Sequence, residues 1–283
     1  MKSSYFMPED KIKKFPPLCA MNNMEGVTLY AIAEPSIGEI LPPPLELVDP
    51  DNPMLYLYIV NIREPTFAPW YLEGGVGVLA KYGEKTGVYF FNLLLSGPGA
   101  SMGVFSGREG AGLPKKFCER IVLERKGEYG RCYMERNGVR LVDVELDIGN
   151  YNLPDVKFGM ENCSEVNGGL ETDGGCLLHK YSSDDSGIKD MELIYYDSPS
   201  RFYSWEPASA SVTFKSSIDD PYGDIPIKSV IGAAWQVSDN WVNGMFSLYS
   251  YPRDKTTEIM RYLFSGRYDQ CMLYNKHQLY ETK

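Results

Sequence analysis

The sequence predicts a mainly β fold, a single antiparallel domain with a closed or nearly closed barrel-like core and a few short helices. Three observations point there. Short runs rich in β-branched and aromatic residues recur, while long apolar stripes of helical period are rare. Gly (27), Pro (19) and Tyr (21) are abundant, so turn formers alternate with strand formers. Arg136-Asn137-Gly138-Val139 separates two such runs. Asn-Gly in that setting marks a hairpin, because both central residues of a type I′ turn need positive φ.

In chain order, residues 36–41 read as a short helix stopped by Pro42-Pro43-Pro44. Strands are expected over 55–60 and 88–95. The glycine-rich stretch 97–103 reads as a turn between strands, since it lacks the Lys-Ser/Thr ending of a phosphate loop. Strands follow at 121–123, 132–134 and 141–146, the last two joined by the Asn-Gly turn. Two stretches, 162–175 and 182–189, read as exposed loops. Further strands are expected at 191–196, 208–215 and 229–236, with Asp219-Asp220-Pro221 as a turn. The last element is a helix over 254–264, capped by Asp254, with Ile259, Tyr262 and Leu263 on its apolar face. No internal repeat is found, and one β-rich domain accounts for these signals.

Composition limits the function. With 283 residues, 43% of them hydrophobic, the chain can bury a large core. A net charge of −10 repels phosphate backbones and argues against nucleic-acid binding. No stretch of 18 apolar residues suggests a membrane span, and no apolar run of signal-peptide length follows Met1. Cys19, Cys118, Cys132, Cys163, Cys176 and Cys271 are scattered without a Cys-x-x-Cys pair. A reduced, cytoplasmic protein is the expectation. His179 and His277 are too few for a three-histidine metal site, so neither metal nor cofactor is expected.

The segment Gly107-Arg108-Glu109-Gly110-Ala111-Gly112-Leu113-Pro114-Lys115-Lys116-Phe117 carries the chemistry. Most adjacent lysines are solvated surface pairs. Here the pair follows a glycine-rich, proline-terminated loop that can enter a core. A free lysine titrates near ~10.4 and must lose its proton before it attacks a carbonyl. Desolvation and a neighbouring ammonium both disfavour the charged form. The neutral amine can form an imine that draws electrons from an adjacent carbon–carbon bond. Arg108 and Glu109 read as braces of this loop, with contact to substrate as the alternative. Cys118 reads as packing.

The run Gly-Arg-Glu, four residues, then Lys-Lys resembles the signature of the acetoacetate decarboxylase family, whose activated lysine is well known. Weaker similarities occur in the same order: Leu41-Pro42-Pro43-Pro44-Leu45-Glu46, Trp70-Tyr71-Leu72-Glu73-Gly74-Gly75 and Asp224-Ile225-Pro226-Ile227-Lys228-Ser229-Val230. Together they span roughly residues 25 to 245, leaving 1–24 as an N-terminal extension and 246–283 as a C-terminal extension with a helix. The resemblance implies an antiparallel β-cone, a homo-oligomer, Lys115 as the imine-forming nucleophile, Lys116 as the cation that activates it, and Glu73 as the proton-handling carboxylate. Two positions depart from the family. Tyr58 stands where the family has a second glutamate, and Asn23 where it has an arginine. These losses imply a substrate other than acetoacetate. Tyr56, Tyr58, Trp70 and Tyr71 suggest a roomier aromatic pocket, with Tyr56, Tyr58, Trp70 and Arg108 as candidate substrate contacts; ordinary barrel packing is the alternative for the aromatics.

The expected function is a Schiff-base lyase that decarboxylates a β-keto acid or related carbonyl compound larger than acetoacetate, of the kind secondary metabolism makes. A Schiff-base aldolase or dehydratase is the first alternative. The second is a non-covalent pocket that binds or cyclises an apolar, polyketide-like substrate.

Overall fold

In the computed structural model the apolar runs become long strands, because each can bury one face and leave alternate residues partly exposed. The structure describes residues 5–13, 15, 19–153, 164–166 and 168–273. Cys163 and His277, with the start of the expected 162–175 loop, lie outside them. The strands are β1 (Ala20–Ala33), β2 (Glu46–Leu47), β3 (Met54–Pro65), β4 (Tyr71–Tyr82), β5 (Lys85–Ser96), β6 (Lys115–Phe117), β7 (Arg120–Lys126) and β8 (Tyr129–Arg136). They continue as β9 (Val139–Ile148), β10 (Ser164–Val166), β11 (Gly169–Thr172), β12 (Gly175–Asp184), β13 (Gly187–Asp197), β14 (Ser200–Phe214), β15 (Ile227–Trp241) and β16 (Gly244–Ser250). The helices α1 (Glu9–Ile12), α2 (Ala100–Val104) and α3 (Thr256–Arg267) are short.

Among the described residues the sixteen strands join one sheet, with the main order β16, β13, β12, β5, β4, β3, β1, β15, β14, β9, β8, β7. Pairing is antiparallel except where β5 meets β6 and, through Cys176 and Val88, β12. The expectation of a mainly β, antiparallel domain with a barrel-like core holds, but the sheet is not closed by hydrogen bonds. Its end strands β16 and β7 do not pair with each other. Instead β7 packs across β3, β4 and β5, so side chains from both limbs share one large core around Leu29, Leu57, Val76, Leu94, Val144 and Trp235. Face-to-face packing thus replaces the last ladder. A smaller apolar cluster lies around Val60, Tyr71, Phe90, Leu93, Leu95 and Leu178.

Local differences have local causes. Asn137 and Gly138 take φ of 52° and 76°, as the hairpin between β8 and β9 requires. The polar stretch 182–189 is not a loop but the two strand ends of a tight hairpin, paired as far as Asp184 opposite Gly187. Asp184 Oδ1 accepts from the Ser186 backbone N–H and hydroxyl, which lets loop-like residues form a turn. The stretch 97–103 runs into α2 and then a π-helical turn, Phe105–Glu109, rather than a plain turn. Residues Pro35–Ile40 form a 3₁₀ turn. The final helix begins at Thr256 after a 3₁₀ turn at Arg253–Lys255, and Asp254 does not cap it.

His179 on β12 is buried and donates from Nε2 to the Tyr251 hydroxyl, which itself donates to Pro43 O. Burial, aided by the Arg267 charge, pushes its pKa down to about 3. The folded state therefore keeps His179 neutral where the unfolded chain, titrating near ~6.5, takes up a proton. The resulting stability is complete above pH ~6.5 and is lost as pH falls toward 3, by up to about 1.4 kcal/mol per pH unit. In thermal melts between pH 7 and 5, His179→Gln should show a flatter decline of Tm than the parent chain. Parallel declines would show that this histidine does not control acid stability.

Candidate active site

Register alone brings three polar side chains to one face. Along the sheet, Val60 on β3 opposes Glu73 on β4, which opposes Leu95 on β5. One step along, Tyr58, Gly75, Leu93 and Lys115 form the neighbouring row. Directly opposed residues share a face, and residues two apart on a strand share it too. Tyr58, Glu73 and Lys115 therefore point the same way, toward the smaller apolar cluster. Gly74 and Gly75 allow the close packing beside Glu73: a Cβ at 75 would lie 2.4 Å from Asn92 O, and one at 74 would lie 2.7 Å from Met134 Sδ.

The three meet in a short chain of contacts. Lys115 Nζ donates to Glu73 Oε2 at 2.7 Å, and the Tyr58 hydroxyl donates to Glu73 Oε1 at 2.5 Å. Both members of the ion pair are buried, with side chains 7% and 8% exposed. Each carboxylate oxygen thus has its own donor, which a buried charge requires. Burial and the Glu73 charge push the Tyr58 hydroxyl well above the usual phenol range, so it stays protonated and can donate. Tyr71 and Tyr196 are raised likewise, mainly by burial and in part by Glu73. Cys176 is pushed up to about 12 by burial and feels both Lys115 and Glu73. Tyr56 packs in the same group, its ring tilted against Tyr58 at 5.8 Å and edge-on to Phe90 at 6.1 Å between ring centres.

Lys116 is placed elsewhere. It was expected beside Lys115 as an activating cation, but successive residues of β6 point to opposite faces. Its ammonium lies 2.7 Å from Asp220 Oδ1 and 3.2 Å from Asp269 Oδ1, and donates to Asp219 O and Ser265 O. Arg136 binds the same two carboxylates at 2.6 Å each. Two cations and two anions neutralise one another there, and Lys116 anchors β6 rather than charging the Lys115 side.

Trp70, expected as a substrate contact, precedes β4 and is nearly half exposed, its ring against the Gly97 turn. The alternation of β4 puts Tyr71, not Trp70, on the side of Glu73. Arg108 braces the loop: it donates to Glu109, to Lys115 O and to Arg267 O. Asn23 takes φ of 51°, with its N–H on Asp239 and its amide on Glu64. Among the described residues no three His, Cys, Asp or Glu side chains form a metal-holding group. No helix there is long and apolar enough to cross a membrane. Tyr196, Cys176 and Phe90 were not singled out from the sequence, because strands distant along the chain deliver them with no local motif.

The sequence model of the acetoacetate decarboxylase family matches residues 5–251. The "CLA biosynthesis isomerase" of Lactiplantibacillus plantarum is 31% identical over 285 residues, covering 98% of this chain and 99% of that protein. Among solved structures, acetoacetate decarboxylase from Legionella pneumophila superposes with a TM-score of 0.68 at 13% identity, covering 89% of this chain and 99% of that one. The enduracididine biosynthesis enzyme MppR, complexed with the condensation product of pyruvate and imidazole 4-carboxaldehyde, gives 0.64 at 13% identity, covering 82% and 90%.

Proposed function

The chain belongs to the acetoacetate decarboxylase family, and from that premise we propose that it is a lysine-centred carbonyl enzyme that shifts a double bond in an unsaturated keto compound. The observation that carries this reading is the single Glu73 carboxylate held between the Lys115 ammonium and the Tyr58 hydroxyl in an aromatic-lined, buried site. The full-length likeness to a protein named an isomerase supports it.

The protons balance with these groups alone. Lys115 passes one proton to Glu73 across the 2.7 Å contact, leaving a neutral amine and a neutral carboxyl. The amine attacks the substrate carbonyl carbon and forms a carbinolamine. Glu73 returns its proton to the departing hydroxyl, so water leaves and a protonated imine forms. The imine acidifies the neighbouring carbon. Glu73 takes a proton there, and the electron pair moves into a dienamine. Glu73 returns the proton to the far end of the conjugated system, and hydrolysis releases the isomer. Tyr58 keeps Oε1 occupied and so holds Oε2 toward Lys115. The aromatic walls exclude water, which strengthens each of these charge contacts.

Decarboxylation of a β-keto acid is the second reading, favoured by the family match. It uses the same imine as electron sink, but the bond to the carboxylate carbon breaks and carbon dioxide leaves. Assay of unsaturated ketones and oxo acids in deuterated water separates the two. Isomerisation gives a moved double bond and no gas, with deuterium at the new saturated carbon in those turnovers in which Glu73 exchanges its proton with the solvent before returning it, whereas decarboxylation gives carbon dioxide and a product one carbon shorter. Product of neither kind from substrates of rising chain length would defeat both. Tyr58→Phe keeps the ring but removes the donor to Glu73, and kcat should fall about tenfold to a hundredfold with the fold intact. An unaltered kcat would show that Tyr58 does not orient the carboxylate.

A further inference from the structure

The last turn of α3 lies against the catalytic segment at several points. Gly266 sits so close to β5 that a Cβ there would lie 2.3 Å from Phe91 O and 2.9 Å from the Pro114 side chain. Lys116 donates to Ser265 O, and Arg108 bridges Arg267 O and Lys115 O. Arg267 itself is 5% exposed. Its Nη2 donates to Gly112 O at 2.5 Å and also to His179 O. Those two carbonyls belong to different elements, the glycine-rich loop and β12. They converge because Gly112 takes φ of +79° and presses against β12, where a Cβ would lie 2.3 Å from His179 O. The family match ends at residue 251, before α3 begins.

We propose that Arg267 is a positioning residue for Lys115, fixing the path of Leu113 and Pro114 and with it the direction in which Lys115 leaves β6 toward Glu73. The inference rests on the reading of Lys115 as the reacting amine. The segment closes on itself through Gly112 N–H to Arg108 O and Leu113 N–H to Gly107 O, but Gly107, Gly110 and Gly112 keep that turn pliable, so its placement against β12 rests on contacts from outside it. Gly107 packs on the Lys115 stem, with the position of a Cβ only 2.8 Å from Cδ, so displacement of the loop displaces the amine. An error of about 1 Å in placing a reacting group can cost about a hundredfold in rate. Both carbonyls accept from Nη2, whose N–H bonds are fixed in the guanidinium plane, whereas a lysine ammonium on its flexible stem holds two acceptors in a less fixed geometry.

The test uses the full chain with Arg267→Ala and Arg267→Lys. A small cavity lined by Gly112, Pro114, His179 and Leu263 adjoins the guanidinium, so the alanine variant leaves room for a free guanidinium ion. Expected are a loss in kcat of about a hundredfold for Arg267→Ala with KM changed less than about threefold, partial recovery in Arg267→Lys, and recovery with millimolar guanidinium chloride below denaturing levels. A second readout needs no substrate. The pH dependence of Lys115 acetylation by acetic anhydride, followed by peptide mass mapping, should move in Arg267→Ala and return with guanidinium. If Arg267→Ala folds with a lower Tm yet keeps kcat and the acetylation profile of Lys115, the residue is merely structural and the proposal is overturned. If Arg267→Ala does not fold, Arg267→Lys decides by the same two readouts. Failure of the nucleophile reading shows separately, as absence of a borohydride-trapped Lys115 adduct in the parent chain during turnover.

Discussion

Lys115→Arg should eliminate turnover, by at least about a thousandfold, or some 4 kcal/mol of barrier, while the protein still folds. A guanidinium cannot form the imine, yet it keeps a cation opposite Glu73, so the buried carboxylate retains a partner. Lys115→Met should lose turnover equally but also stability. Breaking a buried pair by removing one partner costs about 3–5 kcal/mol, because the remaining charge stays desolvated. The pair of variants separates chemistry from folding: both are inactive, and only the methionine variant melts markedly earlier. Borohydride reduction during turnover, with peptide mass mapping, should place an adduct on Lys115 in the parent chain and none in either variant. Full activity in Lys115→Arg would mean that the lysine acts only as a charge, which is the non-covalent alternative.

Glu73→Gln should reduce isomerisation by about a hundredfold to ten-thousandfold, the usual contribution of a positioned acid–base group. The amide matches the carboxylate in size and can still meet Tyr58 and Lys115, so substrate should still bind. What it cannot do is carry a proton between two carbons. Imine formation should slow, and the imine once formed should persist, so that more of it is trapped per turnover. Deuterium incorporation from the solvent should fall in step with kcat. The variant also distinguishes the two chemistries. Loss of carbon dioxide from an imine needs no base at the breaking bond, so a decarboxylase would keep that step and falter in protonating the enamine. Equal rates of deuterium uptake in Glu73→Gln and the parent would remove Glu73 from the mechanism.

How legible the site was depends on parity along the strands. Glu73 and Lys115 stood out in the sequence because each sits in a distinctive local run, and the structure brings them to 2.7 Å. The direction of Lys116 was not apparent, since the motif read as a loop; as a strand, β6 sends the two lysines to opposite faces. The same parity separates Tyr71 from Trp70. The Asp219-Asp220-Pro221 turn gave no sign that Asp220 is wholly buried between Lys116 and Arg136, residues 104 and 84 positions away by number. Charged turn residues are usually solvated, and only a partner from a distant strand can hold one inside.

By itself the sequence determined the class of fold, the Asn137-Gly138 hairpin and most strand positions, since these depend on short-range periodicity and turn conformations; one local motif led to the proposal of Lys115 as the reacting amine. It could not decide whether the sheet closes, because closure is a pairing between chain segments far apart, and identical strands serve an open or a closed edge. Nor could it place Tyr58 on Glu73, Tyr196 and Cys176 near the site, or Arg267 across Gly112 and His179. Those meetings follow from the register of β3, β4, β5 and β6 and from the docking of α3. Each is set by burial of whole faces, to which no single residue's neighbourhood in sequence points.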